Sequence, residues 1–277
     1  MVPDLIVVPV LFVSLGIAGL YTGWKRRRIH ARMTALTPTP VEALSPPGPV
    51  EIQGTGTPVD DLVTAPITGR PAVLAAWTIE EWDERGDTSR WREVARGIEA
   101  AAFGVDDGSG SVPVGPLSKR ETAGRWTQTA GVSATNGVRI DDVLAEFTSF
   151  TVEAELGPAE TPPVEIRRLH RDHGLDGAPD PVTDAADVDR PHGTRRYTQG
   201  VLAPGDWVYV LGRVEERDGT ASRPESAIVT TPRDGPLLVS DREESTLEST
   251  VAAAARTWLV AGTVSSLVGL AGLAALL

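Results

Sequence analysis

The chain has 277 residues, 41% of them hydrophobic, with 38 acidic side chains against 26 basic ones and a formal charge of −12. It contains no cysteine, which excludes disulfides, thiol catalysis and every zinc site built on thiolates. The acidic balance argues against a nucleic-acid partner, because nucleic-acid phosphates need a basic footprint.

Residues 5–24 and 257–277 carry no charge. At about 1.5 Å of rise per residue, roughly 20 residues cross a hydrocarbon core about 30 Å thick. The first run does not read as a secretory leader, because its cations follow the apolar stretch instead of preceding it. Lys25, Arg26, Arg27, Arg28 and Arg32 lie just past the first run, and Arg256 abuts the second. Cationic flanks stay on the cytoplasmic side. The sequence therefore predicts two transmembrane helices in the lipid bilayer. Residues 1–4 and the C-terminus lie outside, and everything between the helices is cytoplasmic. Gly19 and Gly23 form a GxxxG pair, echoed by Gly262/Ser266 and Ser265/Gly269. Such stripes serve either packing of the two helices on each other or a homodimer. The spans hold no acid or base, which speaks against a transporter.

Residues 25–49 read as a basic stretch followed by a Pro-rich, extended linker, with an ordered strand start as the alternative for its last few residues. His30 is expected at headgroup level beside Arg28. Residues 50–240 alternate like short strands. They run over 50–54, 72–82, 91–97, 98–105 and 111–114, the last two separated by the turn Asp106-Asp107-Gly108-Ser109-Gly110. Asn136-Gly137 reads as a further turn, and Ile140, Val143, Leu144 and Phe147 at helical spacing predict a short helix over 139–147. Residues 157–196, rich in Pro, Asp and Gly, read as a loop or a partly disordered insertion. Residues 197–216 predict a strand pair around Pro204-Gly205-Asp206, and two short strands follow at 227–231 and 237–240. Residues 241–256 predict a juxtamembrane helix running into the second span, with Asp241 as N-cap. The fold class is mainly β: a small antiparallel barrel or sandwich with one or two helices, flanked by two transmembrane α-helices.

Setting aside Asp4 and the six cations that flank the spans leaves 20 basic against 37 acidic residues, and the whole chain has 24 Arg but 2 Lys. This looks like a salt-adapted proteome, as in halophilic archaea, where net charge keeps a compact protein soluble and molar salt screens the self-repulsion.

Little in the sequence carries chemistry. There is no phosphate-binding GxxxxGK[ST] loop, no dinucleotide fingerprint and no GxSxG elbow, so no cofactor is expected. His170 and His173, joined by His192, could supply metal ligands, but solvated loop histidines are the favoured reading. The Asp106–Gly110 stretch lacks the spacing of a calcium loop and reads as a tight turn. Of Trp77, Trp82, Trp91, Trp126 and Trp207, which serve either core or contact surface, Trp77 and Trp207 are expected in the core.

Several segments stand in a recognisable order. They are Ala65-Pro66-Ile67-Thr68-Gly69-Arg70-Pro71; Trp91-Arg92-Glu93-Val94 with Gly97; Phe103 leading into Asp106-Asp107-Gly108-Ser109-Gly110 and Val112; Leu202-Ala203-Pro204-Gly205-Asp206 through Gly212 and Arg213; and Pro236-Leu237-Leu238-Val239-Ser240-Asp241 before a Glu-rich helix. Together, over about residues 50–277, they resemble the GIDE or BAM ("beside a membrane") domain. In eukaryotes that domain lies between the two membrane helices of a mitochondrial E3 ubiquitin ligase and is followed by a RING finger. The resemblance implies ubiquitin transfer, but a RING needs Cys and His ligands for zinc, and this chain has no Cys. What carries over is a protein-interaction role beside a membrane. The expectation is a non-catalytic scaffold with an unidentified protein partner. The alternatives are an E3-like component relying on a RING in trans, and a metal-dependent hydrolase using His170 and His173.

Overall fold

The computed structural model describes residues 3–85, 88–115, 117–122, 136–175, 190–217 and 227–276. In chain order the elements are α1 (Pro3–Met33), β1 (Gly48–Pro58), β2 (Val63–Thr64), β3 (Pro71–Ala72), β4 (Leu74–Arg85), β5 (Thr88–Ala100), β6 (Phe103–Asp106), β7 (Ser111–Val114) and β8 (Lys119–Thr122). They continue with β9 (Gly137–Ile140), β10 (Val143–Glu146), β11 (Thr151–Leu156), α2 (Val164–His173), β12 (Arg195–Leu202), β13 (Trp207–Glu216), β14 (Ala227–Thr230), β15 (Leu237–Ser240) and α3 (Glu244–Ala274). One turn of 3-10 helix spans Val41–Ala43. The chain divides into two units: the helical ends, up to Thr37 and from Glu243 onward, and Pro38–Arg242.

In the helical unit α1 and α3 have 31 residues each, about 46 Å of helix at the standard rise. Both are long and apolar enough to cross a membrane. They pack closely through small residues. A Cβ on Gly19 would lie 2.9 Å from the Cα of Gly262, one on Gly23 would lie 2.7 Å from Leu259, and one on Gly16 would collide with Ser266. Ser265 Oγ donates to the Phe12 carbonyl at 2.8 Å, the interhelical bond that small polar residues supply in apolar surroundings. The stripe of Gly19 and Gly23 is thus filled by the chain's own second helix. The basic stretch 25–33 is helix, not linker. Lys and Arg are good helix formers, and no proline breaks the run before Pro38.

The second unit is built on a closed five-stranded barrel. β1 is paired along one edge with β13, from Gly48↔Val214 to Thr55↔Trp207, and along the other with β6, from Thr55↔Asp106 to Pro58↔Phe103. β6 pairs with β7, β7 meets β14 in parallel at Val114↔Val229, and β14 returns to β13. Numbered among themselves the ring strands run 1-2-3-5-4-1, a Greek-key barrel of the OB kind. That fold assigns no function by itself. β13 gives the second half of its free edge to β14 and the first half to β15, from which β10 and β9 continue the sheet. The interior holds Val50, Ile52, Phe103, Val105, Val208, Val210, Val229 and their neighbours, all buried.

Two insertions into this ring make a second sheet, in the order β11-β12-β4-β5-β8. One insertion, between β1 and β6, contributes the β4–β5 hairpin. The other, between β7 and β13, contributes β8, β11, β12 and α2. One face of the sheet joins the barrel core through Leu74, Ala76, Ile98 and Leu202. The other packs on α2 through Trp77, Ile79, Ala95, Tyr197, Ile166 and Leu169.

The mainly β class and the two flanking helices agree with the sequence reading; several elements do not. Residues 139–147 are the β9–β10 hairpin, not a helix. Its two-residue turn, with Asp141 at φ 49°, sets Ile140 opposite Val143, so that core positions recur at a helix-like spacing of three. β10 is buried along its whole length beside β15, so it shows no alternation. Residues 157–196 are not a plain loop, because α2 lies within them. Residues 176–189 of that insertion lie outside the described residues, as does Trp126. Residues 197–216 are not a strand pair: β12 belongs to the second sheet and β13 to the barrel, so the turn between them is a corner joining two layers. The Pro-rich linker also belongs to the domain from Pro38 on, with Val41 and Leu44 buried in the barrel core.

Candidate functional site

The motif residues converge on the places where the chain enters and leaves the β-domain. At the entrance, the Val41 amide donates to Asp107 Oδ2 at 2.8 Å, and the Glu42 amide donates to Ser109 Oγ at 3.1 Å. Ser109 in turn donates its amide and its hydroxyl to Asp107 Oδ1, at 2.8 and 2.7 Å. Gly108 stands at φ +88°, and Gly110 leaves room for Val41 Cγ1, 3.2 Å from where a Cβ would be. The Asp106–Gly110 turn is therefore a cap for the 3-10 turn, fastening residues 38–44 to the barrel. Burial is the largest influence on the Asp107 carboxyl and pushes its pKa up. The bonds from Ser109, Val41 and Gly110 together outweigh it and hold the group below the usual carboxylate range.

At the exit, Asp241 Oδ1 accepts the Thr148 amide, Arg242 Nε donates to the Phe147 carbonyl at 2.7 Å, and the Arg242 amide donates to Ser240 Oγ at 3.0 Å. Asp241 is thus not the cap of α3; that position falls to Glu243. Burial dominates at Asp241 and, despite the Thr148 bonds, raises its carboxyl above the usual range.

Other motif positions support the layers between these two clamps. Gly205, at φ +88°, lets the corner fold so that its amide reaches the Gly56 carbonyl at 2.9 Å. The Gly56 amide returns to Asp206 O at 2.9 Å, and Asp206 Oδ2 takes the Ala203 amide beside Pro204. Gly97 lies under Trp77, where a Cβ would stand 2.4 Å from the indole ring. A Cβ on Gly212 would press on Val229 and Leu237. Val94 is the extra residue of a bulge, since Ile79 faces Ala95 while Glu80 faces Glu93. Phe103 is buried in the barrel. The segment 65–71 is a turn closed by the bond from Gly69 N–H to Ala65 O and tied down by Gln199. Gln199 accepts the Ile67 amide at 2.8 Å and donates to Thr68 Oγ1 at 2.7 Å. Arg70 and Pro71 are exposed on this turn.

His170 and His173 sit on α2, not on a solvated loop. The helix ends in a Schellman motif at Gly174, whose amide meets Arg171 O while the Leu175 amide meets His170 O. His170 is buried, with Nε2 2.8 Å from Tyr197 Oη, and His173 meets Trp77 edge-on at 4.8 Å. Burial pushes the Tyr197 hydroxyl up to about 12. His192 lies elsewhere, Nδ1 4.0 Å from Asp83 Oδ1, and no three potential metal ligands gather among the described residues. In the helical unit His30 pairs with Glu248 at 3.3 Å.

Sequence reasoning missed a surface at the far end of the second sheet. Trp82 and Trp91 face each other across β4 and β5, with ring centroids 5.3 Å apart. Arg190 lies over both rings at 5.2 and 4.9 Å, and Arg196 lies over Trp91 at 4.3 Å. Glu155 and Glu80 hold the two guanidinium groups, each at 2.6 Å. Beneath them, buried Glu81 takes Arg195 at 3.0 Å and Arg92 at 3.4 Å. The rings remain half-buried beneath the guanidinium groups, an aromatic–arginine ladder held by cation–π contacts and ion pairs. The signal was the cross-strand spacing of the two tryptophans; Arg190 and Arg196 come from a segment read as loop. Trp77 is fully buried as expected, but Trp207 is 46% exposed, because it opens β13 on the outward side of the barrel. No family model, curated protein or solved structure matches this chain.

Proposed function

We propose that this chain is a two-span membrane protein of GIDE type, whose β-domain is a non-catalytic protein-interaction scaffold held beside the membrane on the cytoplasmic side of a salt-adapted cell. The observation that carries the reading is the bracket of two membrane-length helices around a β-domain whose motif residues clamp both of its chain ends. The order of Gly97, Asp107, Gly205, Asp206, Ser240 and Asp241 supports the family assignment, since each supports a turn, a clamp or a close contact. The Trp82–Trp91–Arg190–Arg196 ladder is the surface best suited to a partner. Lys25, Arg26, Arg27 and Arg28 at the end of α1, with Arg256 on α3, support the orientation.

Two measurements test the reading. The chain has no native cysteine, so a single Ser109→Cys variant reports topology directly. Labelling of that variant by an impermeant thiol reagent in intact cells would overturn the cytoplasmic placement. Affinity capture from membranes at native salt is expected to return a partner with the wild type and to lose it with Trp91→Ala/Arg196→Ala. A partner retained equally by both would move the contact surface elsewhere, and no partner in either would count against a scaffold.

A further inference from the structure

Tyr21, Trp24, Lys25 and Arg28 recur at i, i+3, i+4 and i+7, so they share one face of α1. Both rings are about half exposed, Tyr21 at 51% and Trp24 at 49%, and they stack with centroids 6.4 Å apart. Lys25 Nζ lies 4.4 Å from the centre of the Tyr21 ring, and Arg28 Cζ lies 4.9 Å from that of Trp24. This face is distinct from the glycine stripe that meets α3. The nearby cations differ in their partners. His30 has Glu248 and Arg26 is buried, whereas among the described residues no carboxylate lies within 4 Å of Lys25, Arg27 or Arg28. Depth follows from helix rise. From Pro3 to Trp24 the helix climbs about 32 Å, the thickness of a hydrocarbon core, so Trp24 falls at its edge with Lys25 beside it, Tyr21 about one turn inside and Arg28 about one turn beyond.

We infer that Tyr21, Trp24, Lys25 and Arg28 form a binding site for the phosphate of anionic lipid headgroups. The amphipathic rings sit at the boundary between hydrocarbon and water. They hold the ammonium and guanidinium groups at phosphate depth, prepaid in conformation by the ring contacts and, among the described residues, without a carboxylate to neutralise them.

The inference rests on the two-span reading, and the experiment separates the two. The full-length chain is placed in nanodiscs of phosphatidylcholine containing a minority of phosphatidylglycerol, and the lipids retained on the protein are counted by native mass spectrometry. Wild type is expected to enrich phosphatidylglycerol over its bulk share. Each cation near an anionic surface contributes about a fivefold preference at low salt, so Lys25→Gln/Arg28→Gln is expected to lose about 30-fold and return to the bulk composition. Tyr21→Leu/Trp24→Leu keeps every charge, and therefore the orientation signal, and is expected to lose a few-fold through the missing ring contacts. Raising salt to about 1 M should erase most of the difference. No enrichment in the wild type, or equal enrichment in the Gln variant, would overturn the site. Displacement of the lipid by millimolar inorganic phosphate would also overturn it, by showing a free-phosphate site. Ser109→Cys labelling, run on the same variants, reports whether the two-span topology itself has failed.

Discussion

Substituting Asp107 by alanine tests whether the entrance clamp holds residues 38–44 on the barrel. The change removes the acceptor for the Val41 amide and for both donors of Ser109. Loss of a side-chain cap costs about 1 kcal/mol, and a hydrogen bond to a charged group about 1.5–3 kcal/mol; for a half-buried carboxylate the sum settles near 2 kcal/mol. In a domain of this size that corresponds to about 4–8 °C in Tm. The segment stays docked through buried Val41 and Leu44, so the sharper readout is local. Hydrogen exchange at the Val41 and Glu42 amides should accelerate about 30-fold, the equilibrium equivalent of 2 kcal/mol. The sign of the pH dependence follows from the carboxyl's lowered pKa. With its folded value below the unfolded 3.8, the clamp's contribution is complete above that range and is lost as pH falls through the folded value. Wild type should therefore shed this stability in acid below about pH 3.8, and Asp107→Ala should show no such loss. A Tm within about 1 °C of wild type, together with unchanged exchange at both amides, would refute the clamp.

At the exit the sign reverses. The Asp241 carboxyl is raised, so its ionised form disfavours the folded state, and stability from this group falls as pH rises from 3.8 through the folded value. Asp241→Asn, which keeps an acceptor for Thr148, should flatten that slope and leave the domain at least as stable at neutral pH by thermal unfolding. Gly97→Ala drives a methyl into the Trp77 ring and should cost about 1–3 kcal/mol, with a matching change in tryptophan fluorescence. Tyr197→Phe removes the buried hydroxyl 2.8 Å from His170 Nε2 and should cost about 1–2 kcal/mol in denaturant unfolding. Gly19→Val, at 2.9 Å from Gly262, should separate α1 from α3 and lower the thermal stability of the full-length chain in nanodiscs, where Gly19→Ala should cost less.

The two end helices were legible because each carries an uncharged apolar run of about twenty residues; β7, β14 and β15 lie almost where alternation put them, whereas β1 and β5 run longer and the stretch read as a strand over 98–105 is broken between β5 and β6. The misreadings share a physical origin. Buried β10 shows no polar face, and the two-residue turn before it mimics the spacing of a helix. α2 does carry Ile166, Leu169, His170 and His173 at i, i+3, i+4 and i+7, but its flanking prolines and acidic neighbours hid it in composition. The β12–β13 corner looks locally like a hairpin; only the pairing of β12 with β4, more than a hundred residues earlier in sequence, separates the two. The clamps and the Trp–Arg ladder were invisible for the same reason, since each joins side chains from segments that no local pattern connects. Asp107 and Asp241 were singled out by the family resemblance, but their roles are tertiary.

The tight seam between α1 and α3 has a consequence in time. About 210 residues separate Met33 from Glu244. At a synthesis rate of about 5–20 residues per second, α1 is complete roughly 10–40 s before its partner helix begins to emerge. For that interval the Gly16–Gly19–Gly23 groove has no α3 to fill it, while the β-domain can already fold and fix its own two ends. The seam between the helices therefore forms only after both ends of the β-domain have been synthesised.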